Sequence, residues 1–169
     1  RQGLGISPRR ITISTVGLPR AIDRLTRQNP RFHLAVSLHA PRDALRNQLV
    51  PVNIQTGLDE ILASADRYFE ASGRRLTFEY VLLAGINDRA ADADQLARLL
   101  RHRAALLNVI PYHPVAGLPY ATPTPQAIRR FREILEQHRV TVKFRQRKGG
   151  QIDAACGQLR RSGPAVVGQ

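Results

Sequence analysis

The sequence predicts an α/β fold built on a parallel sheet, and three observations carry that expectation. Five short apolar or β-branched runs recur along the chain: Ile11 to Thr15, Leu34 to Leu38, Leu76 to Leu83, Leu106 to Tyr112 and Val140 to Arg145. Segments of helical apolar spacing fill the intervals between them. Strands alternating with helices form βαβ units, whose crossovers are right-handed and whose strands pair in parallel. Short polar segments then follow the strands, namely Ser14-Thr15-Val16-Gly17, Ser37-Leu38-His39-Ala40, Asn87-Asp88 and Pro111-Tyr112-His113-Pro114. In parallel α/β folds, ligands collect at the carboxyl ends of strands, where these residues fall.

Taken in order, the first strand is followed by a short helix over Pro19 to Arg27, and the second by another over Arg42 to Leu49. Leu58, Ile61, Leu62, Ala65 and Phe69 recur at helical spacing, and that helix stops at Gly73. After the third strand, Leu96, Leu99 and Leu100 mark a helix with a candidate cap at Asn87 or Asp88. Thr124 followed by Pro125 is a cap and first-turn signature for a helix that places Ile128, Phe131, Ile134 and Leu135 on one face. The last strand, Val140 to Arg145, follows it.

The 169 residues suffice for about one domain with a real hydrophobic core. Charge narrows the function: 26 Lys and Arg against 13 Asp and Glu give +13, which points to a polyanionic partner, with nucleic acid favoured. The charge is patterned, at +7 over residues 1–50, −3 over 51–100, +8 over 101–150 and +1 over 151–169. Only Lys143 and Lys148 are lysines. Arginine's planar fork suits phosphate contact and stacking on bases. A GC-rich genome also writes Arg for Lys, which accounts for the ratio but not for the net charge. One cysteine excludes a disulfide framework and a self-contained cysteine metal site. No apolar run approaches the roughly 20 residues of a membrane span, and no signal-like segment opens the chain. The absence of methionine, position 1 included, leads to the expectation of a piece of a longer chain. The last residues, 163–169, read as a frayed, disordered tail.

Four residues are chemical candidates. Cys156 lies between small residues in Ile152-Asp153-Ala154-Ala155-Cys156-Gly157-Gln158-Leu159, with Arg145, Arg147 and Lys148 near in sequence to favour a thiolate. The bland alternative is a buried structural cysteine. His39, at the end of a buried strand, suits ligand binding or proton transfer, or else is a polar strand end satisfied by backbone. His113, between Pro111 and Pro114, is similar. Glu79 in Phe78-Glu79-Tyr80 requires a partner if it points inward, and is therefore functional or paired with an arginine. No phosphate loop, dinucleotide fingerprint or metal triad accompanies them, so no metal ligand is assigned.

Five stretches together resemble the RlmN/Cfr family of radical S-adenosylmethionine (SAM) RNA methyltransferases. They are Arg10-Ile11-Thr12-Ile13-Ser14-Thr15-Val16-Gly17, Ala35-Val36-Ser37-Leu38-His39-Ala40-Pro41, Phe78-Glu79-Tyr80-Val81-Leu82-Leu83, Asn108-Val109-Ile110-Pro111-Tyr112 and Ile152 through Leu159. They keep the family's order over nearly the whole chain, and the last is the most specific. The resemblance implies a partial (βα)6 barrel, of which this chain supplies roughly strands 3 to 6 plus an added strand. Residues 1–162 are then the carboxyl-terminal part of a radical SAM core domain. The family's CxxxCxxC cluster motif, its SAM-binding GEP motif and its second catalytic cysteine belong upstream, so the ligands of the 4Fe-4S cluster are expected outside this chain.

The resemblance further implies methylation of carbon 2 of an adenine in 23S rRNA, and also in tRNA, by a cytoplasmic enzyme that is monomeric and touches no membrane. Carbon 2 is an electron-poor amidine carbon with no lone pair to attack a sulfonium methyl, which is why the family uses a radical route. The cysteine matching Cys156 carries the methyl group in that route. Ser14, Ser37, Leu38, His39 and the position of His113 match SAM contacts. His113 is a departure, since the family usually has asparagine there; either histidine makes a similar polar contact or this SAM site is altered. Two rivals stand beside this reading: a noncatalytic basic RNA-binding module derived from the family, and an aldolase-like barrel acting on small phosphorylated substrates. The intact cysteine motif argues against the module, while the missing upstream motifs argue for it. The isolated chain, with one thiolate where a cluster needs about three, is expected to be inactive.

Overall fold

The computed structural model describes residues 6–145 apart from 29 and 116. The elements run β1 (Thr12–Thr15), α1 (Pro19–Thr26), β2 (His33–Ser37), α2 (Asp43–Leu49), α3 (Gly57–Ser72), β3 (Leu76–Leu82), α4 (Ala90–Leu100), β4 (Ala105–Pro111), α5 (Pro125–Gln137) and β5 (Val142–Phe144). Two 3-10 turns, Pro8–Arg10 and Pro51–Gln55, were not expected from the sequence. The strands form one sheet in the order β1-β2-β3-β4-β5, parallel throughout. This is the expected α/β architecture of a partial barrel, with each strand paired to the next in sequence across a helical crossover.

The two faces of the sheet differ in chemistry. Along β3, Leu76, Phe78, Tyr80 and Leu82 are buried while Thr77, Glu79 and Val81 are half-buried, a period of two that puts the first set against the helices. Those apolar residues join Leu34 and Val36 of β2, Leu107 and Val109 of β4, Ile61 and Tyr68 of α3, Leu96 of α4 and Phe131 of α5 in a single core. Tyr80 packs on Phe131 with ring centroids 5.6 Å apart and donates its hydroxyl hydrogen to the Asn87 carbonyl at 2.9 Å. Its phenol is thereby satisfied in the core, and burial raises its pKa well above the ordinary tyrosine value. The opposite face carries Thr12, Ser14, Thr77, Glu79, Leu106 and Asn108 and borders an open cavity.

Helix ends follow local chemistry. Thr124 caps α5 through Oγ1, which accepts from the Ala127 N–H at 3.1 Å, with Pro125 in the first turn. Gly73 ends α3 at φ +61°, its N–H donating to the Phe69 carbonyl. The cap of α4 is a correction: neither Asn87 nor Asp88 fills it, and Arg89 does, with Asp92 Oδ2 accepting the Arg89 N–H at 3.2 Å. Strand β5 is shorter than Val140 to Arg145 because Arg139 turns left-handed at φ +56° and the Val140 N–H still donates to Leu135. Among the described residues no helix is long and apolar enough to cross a membrane. Cys156 and the expected tail at 163–169 lie outside the described residues.

Candidate functional site

The helix-free face forms a cavity of about 740 Å³, bordered by Ser14 of β1, Thr77 and Glu79 of β3, Asn108 of β4, and Lys143 and Arg145 at β5. Parallel register aligns its polar residues in a row, Ser37 beside Glu79, Glu79 beside Asn108 and Asn108 beside Lys143. Asn108 Nδ2 donates to Glu79 Oε2 at 2.7 Å. The partner of the inward carboxylate is thus an asparagine from the adjacent strand, not the arginine the sequence suggested. Asn108 is 5% exposed, and its Oδ1 is buried with no hydrogen-bond partner among the described residues. An unpaired buried acceptor is destabilising by about 1–3 kcal/mol, so this Oδ1 is a cost that the described residues do not offset.

Ser14 is exposed on the cavity wall and Ser37 is half-buried at the end of β2. Leu38 is fully buried; its N–H donates to the Glu79 carbonyl at 2.9 Å and its own carbonyl accepts from Arg46. His39 follows at φ +60°, left-handed backbone that is uncommon outside glycine. Its Nδ1 accepts the Val81 N–H at 3.2 Å, so in the neutral ring the proton resides on Nε2. Burial, followed by the Arg46 charge, lowers the His39 pKa to about 4, which keeps the imidazole neutral at physiological pH.

His39 also lines a second, apolar pocket of about 170 Å³ with Leu49, Val81, Leu83, Tyr112 and Tyr120, where Tyr112 and Tyr120 meet edge to face at 5.7 Å. His113 is exposed one residue beyond Tyr112 and lines neither cavity. The structure therefore gathers Ser14 and the Ser37 row about the open face, sets His39 at its edge over the second pocket, and leaves His113 apart. Sequence reasoning missed Arg46 and Asn108, and it named Asn87 as a strand-end residue and a cap but not for the backbone groups it bridges. Arg46 alone carried a signal, sitting next to Leu45 on the inward stripe of a short helix.

The surface explains part of the charge pattern. Carboxylates of the acidic middle segment pair with arginines, Asp66 with Arg103 at 3.0 Å and Asp92 with Arg42, while Asp23 takes Arg67 at 2.8 Å. Arg129, Arg130 and Arg132 are exposed on α5, and the Arg132 guanidinium lies 4.5 Å over the Phe144 ring. Among the described residues no three of His, Cys, Asp and Glu cluster in a way able to hold a metal ion. A single cysteine in the sequence cannot ligate an iron–sulfur cluster, so the residues present do not fit that group.

No protein-family profile matches the chain. A crystal structure of a radical SAM methyltransferase from Sphaerobacter thermophilus superposes with a TM-score of 0.87 at 46% identity, over 92% of this chain and 46% of that one. A domain of pyruvate-formate lyase-activating enzyme from Bacteroides vulgatus superposes at 0.62 and 17% identity over 80% of each chain, which shows a shared fold alone. The parallel sheet with one polar open face is thus a radical SAM partial barrel.

Sequence similarity takes the assignment further. The chain is 66% identical over 160 residues to a probable dual-specificity RNA methyltransferase RlmN of Rhodopirellula baltica, covering 95% of this chain and 43% of that protein. It is 48% identical over 158 residues to the protein of the same description from Moorella thermoacetica, covering 94% and 45%. The chain is thus similar over nearly its whole length to curated proteins named RlmN, and it spans less than half the length of these relatives.

Proposed function

We propose that the protein carrying this chain methylates carbon 2 of an adenine in 23S rRNA, with tRNA as a second substrate, and that this chain supplies the SAM-binding strand ends and the methyl-carrying cysteine. The observation that carries the proposal is the open polar face itself. Two of the candidate SAM residues, Ser14 and Ser37, stand on it beside Glu79 and the unsatisfied Asn108 Oδ1, in a segment closely similar to proteins named as RNA methyltransferases.

The donor and acceptor set fits SAM, whose ribose hydroxyls and amino-acid end need hydroxyl, carbonyl and carboxylate partners. Ser14, Ser37 and His39 would hold it, with the backbone of Leu38 keeping the loop in place, while His113, which lines neither cavity, is left without a contact in this arrangement. When bound, SAM supplies the methyl group and, in this enzyme class, a radical source. This chain's own residues would supply the methyl carrier and part of the SAM contacts. The Cys156 thiolate takes a methyl group as a new S–C bond forms and the sulfonium–methyl bond breaks, releasing S-adenosylhomocysteine. The neutral His39 offers a hydrogen-bond donor at Nε2 without adding positive charge beside a cationic sulfonium. The exposed arginines of α5 and the rim residues Lys143 and Arg145 attract the RNA phosphates.

The test is Cys156→Ala in the full protein. Methylation is lost while SAM binding persists, and mass spectrometry of the unsubstituted enzyme finds one methyl group on the peptide containing Cys156. A variant that still methylates RNA at a comparable rate refutes the role. A merely structural cysteine replaced by alanine would lower stability by about 1–3 kcal/mol and leave turnover.

A further inference from the structure

The end of β2 is held by two buried side chains, Arg46 and Asn87. Arg46 is 0% exposed. Its Nε donates to the Leu38 carbonyl at 3.0 Å, and Nη2 donates to the Ser37 carbonyl at 2.8 Å and the Val16 carbonyl at 2.6 Å. Nη1 donates to Asn53 Oδ1 at 2.5 Å. All four acceptors are neutral. The nearest compensating carboxylate, Asp43, is one residue removed, with its Oδ1 accepting from Asn53 Nδ2 at 2.8 Å and from the Leu58 N–H at 2.8 Å. A buried cation without a directly bonded anion is expensive. Only a guanidinium offers donors in a planar fork wide enough to reach the ends of two strands at once.

Asn87, also 0% exposed, completes the arrangement. Its Nδ2 donates to the His39 carbonyl and the Val81 carbonyl, both at 2.8 Å, and its Oδ1 accepts the Leu83 N–H at 2.7 Å. The Leu38 and His39 N–H groups both donate to the Glu79 carbonyl, at 2.9 and 3.3 Å. Every carbonyl of Ser37, Leu38 and His39 therefore meets Arg46 or Asn87. What the loop has left to offer a ligand is side chain, the Ser37 hydroxyl and the His39 ring.

We propose that Arg46 and Asn87 are positioning residues for the Ser37-Leu38-His39 loop. Together they take up its three carbonyls, hold His39 left-handed and so fix the tautomer that presents Nε2–H. A left-handed histidine is strained and persists only where its surroundings over-determine it, which these bonds do. The consequence for ligand affinity rests on the reading that this loop contacts SAM; the fixed tautomer does not.

The test uses the full protein with Arg46→Lys and Asn87→Asp. Lysine keeps the charge but places its donors on one atom, which cannot reach acceptors on both strands and Asn53. Aspartate keeps the shape and the acceptor for Leu83 but has no donor for His39. Imidazole nitrogen-15 spectra without SAM report the His39 tautomer, and calorimetric titration with SAM reports affinity. The expected result is an Nε2–H tautomer in the unsubstituted protein, tautomer averaging in both variants, and SAM affinity at least tenfold weaker in each, with cooperative unfolding retained.

Variants that keep the single tautomer overturn the proposal. So does unchanged SAM affinity in both variants when His39→Ala weakens binding. If Ser37→Ala and His39→Ala both bind SAM as the unsubstituted protein does, the ligand reading fails and the tautomer spectra alone decide the positioning role. Should neither variant fold, the unsubstituted spectrum still decides, because an Nδ1–H tautomer at His39 is incompatible with the proposed arrangement.

Discussion

Replacing Gly17 with alanine tests the joint between the ends of β1 and β2. Gly17 sits at φ +90° with its N–H donating to Thr15 Oγ1 at 3.1 Å. A Cβ there would stand 3.1 Å from Ile61 Cγ2 and 3.2 Å from Arg46 Nη2. Neither neighbour has room to retreat, since Ile61 is fully buried and the Arg46 guanidinium is pinned by four hydrogen bonds. Left-handed backbone costs an alanine about 1–2 kcal/mol, and overpacking adds about 1–3 kcal/mol, so Gly17→Ala loses about 2–5 kcal/mol. Gly73 provides the control: its φ is +61° and a Cβ there meets nothing within 4 Å, so Gly73→Ala carries only the backbone term of about 1–2 kcal/mol. Urea unfolding of both variants of the full protein separates the two terms. With a slope of about 2 kcal/mol/M, the Gly17 midpoint falls a further 0.5–1.5 M, roughly, below the Gly73 midpoint. Equal midpoints would refute the close approach of this turn to the buried guanidinium.

Three other outcomes follow from the same geometry. His39 has a folded pKa of about 4 against 6.5, so the unfolded chain binds the extra proton first; stability is full above pH 6.5 and falls by about 3 kcal/mol as pH drops toward 4, a slope that His39→Gln should flatten in melts taken at stepped pH. Asn108→Asp keeps the unpaired Oδ1 but replaces the donor to Glu79 Oε2 with a second carboxylate oxygen, which lowers the melting transition at neutral pH by an amount equivalent to about 1–3 kcal/mol or more; an unchanged transition would show that Glu79 does not depend on that bond. RNA affinity should fall steeply with salt, each arginine–phosphate contact adding roughly 0.7 to 0.9 to the slope of log affinity on log salt, and a flat titration between low and physiological salt would assign the +13 charge to genomic composition.

What the sequence made legible is what depends on runs and spacing. The strands appear as apolar runs because parallel strands under helices must be apolar on the covered face, and Thr124-Pro125 and Gly73 appear because helix ends have local rules. The interior of the site was less legible. Asn87 reads as a helix cap by residue type, yet its amide bonds three backbone groups on two segments, a role set by the approach of β2 to β3 and invisible in its neighbours. Arg46 reads as a surface residue because arginine usually is one, and only the meeting of Val16 with Ser37 and Leu38, brought together by sheet pairing, creates the acceptors it serves. Glu79 was expected to be functional or paired with an arginine, and parallel register delivers Asn108 to it as the partner.

The polarity of the sheet explains why this arrangement costs stability. A row running Ser37, Glu79, Asn108 and Lys143 across four strands interrupts what would otherwise be an apolar interior, and it leaves the Asn108 Oδ1 without a partner. Covering both faces of a parallel sheet with apolar packing is the stable solution, and among the described residues this face has no helix over it and keeps its polar row. Arg46 and Asn87 make that compatible with a folded strand end. By satisfying the carbonyls of the β2 loop from buried positions, they leave the Ser37 hydroxyl and the His39 ring as the loop's contribution to recognition. The same division accounts for where substitutions act: changes at Arg46, Asn87 or Gly17 register in stability and in loop geometry together, whereas the Ser14 and Ser37 hydroxyls hold no backbone among the described residues, so Ser14→Ala and Ser37→Ala leave stability unchanged.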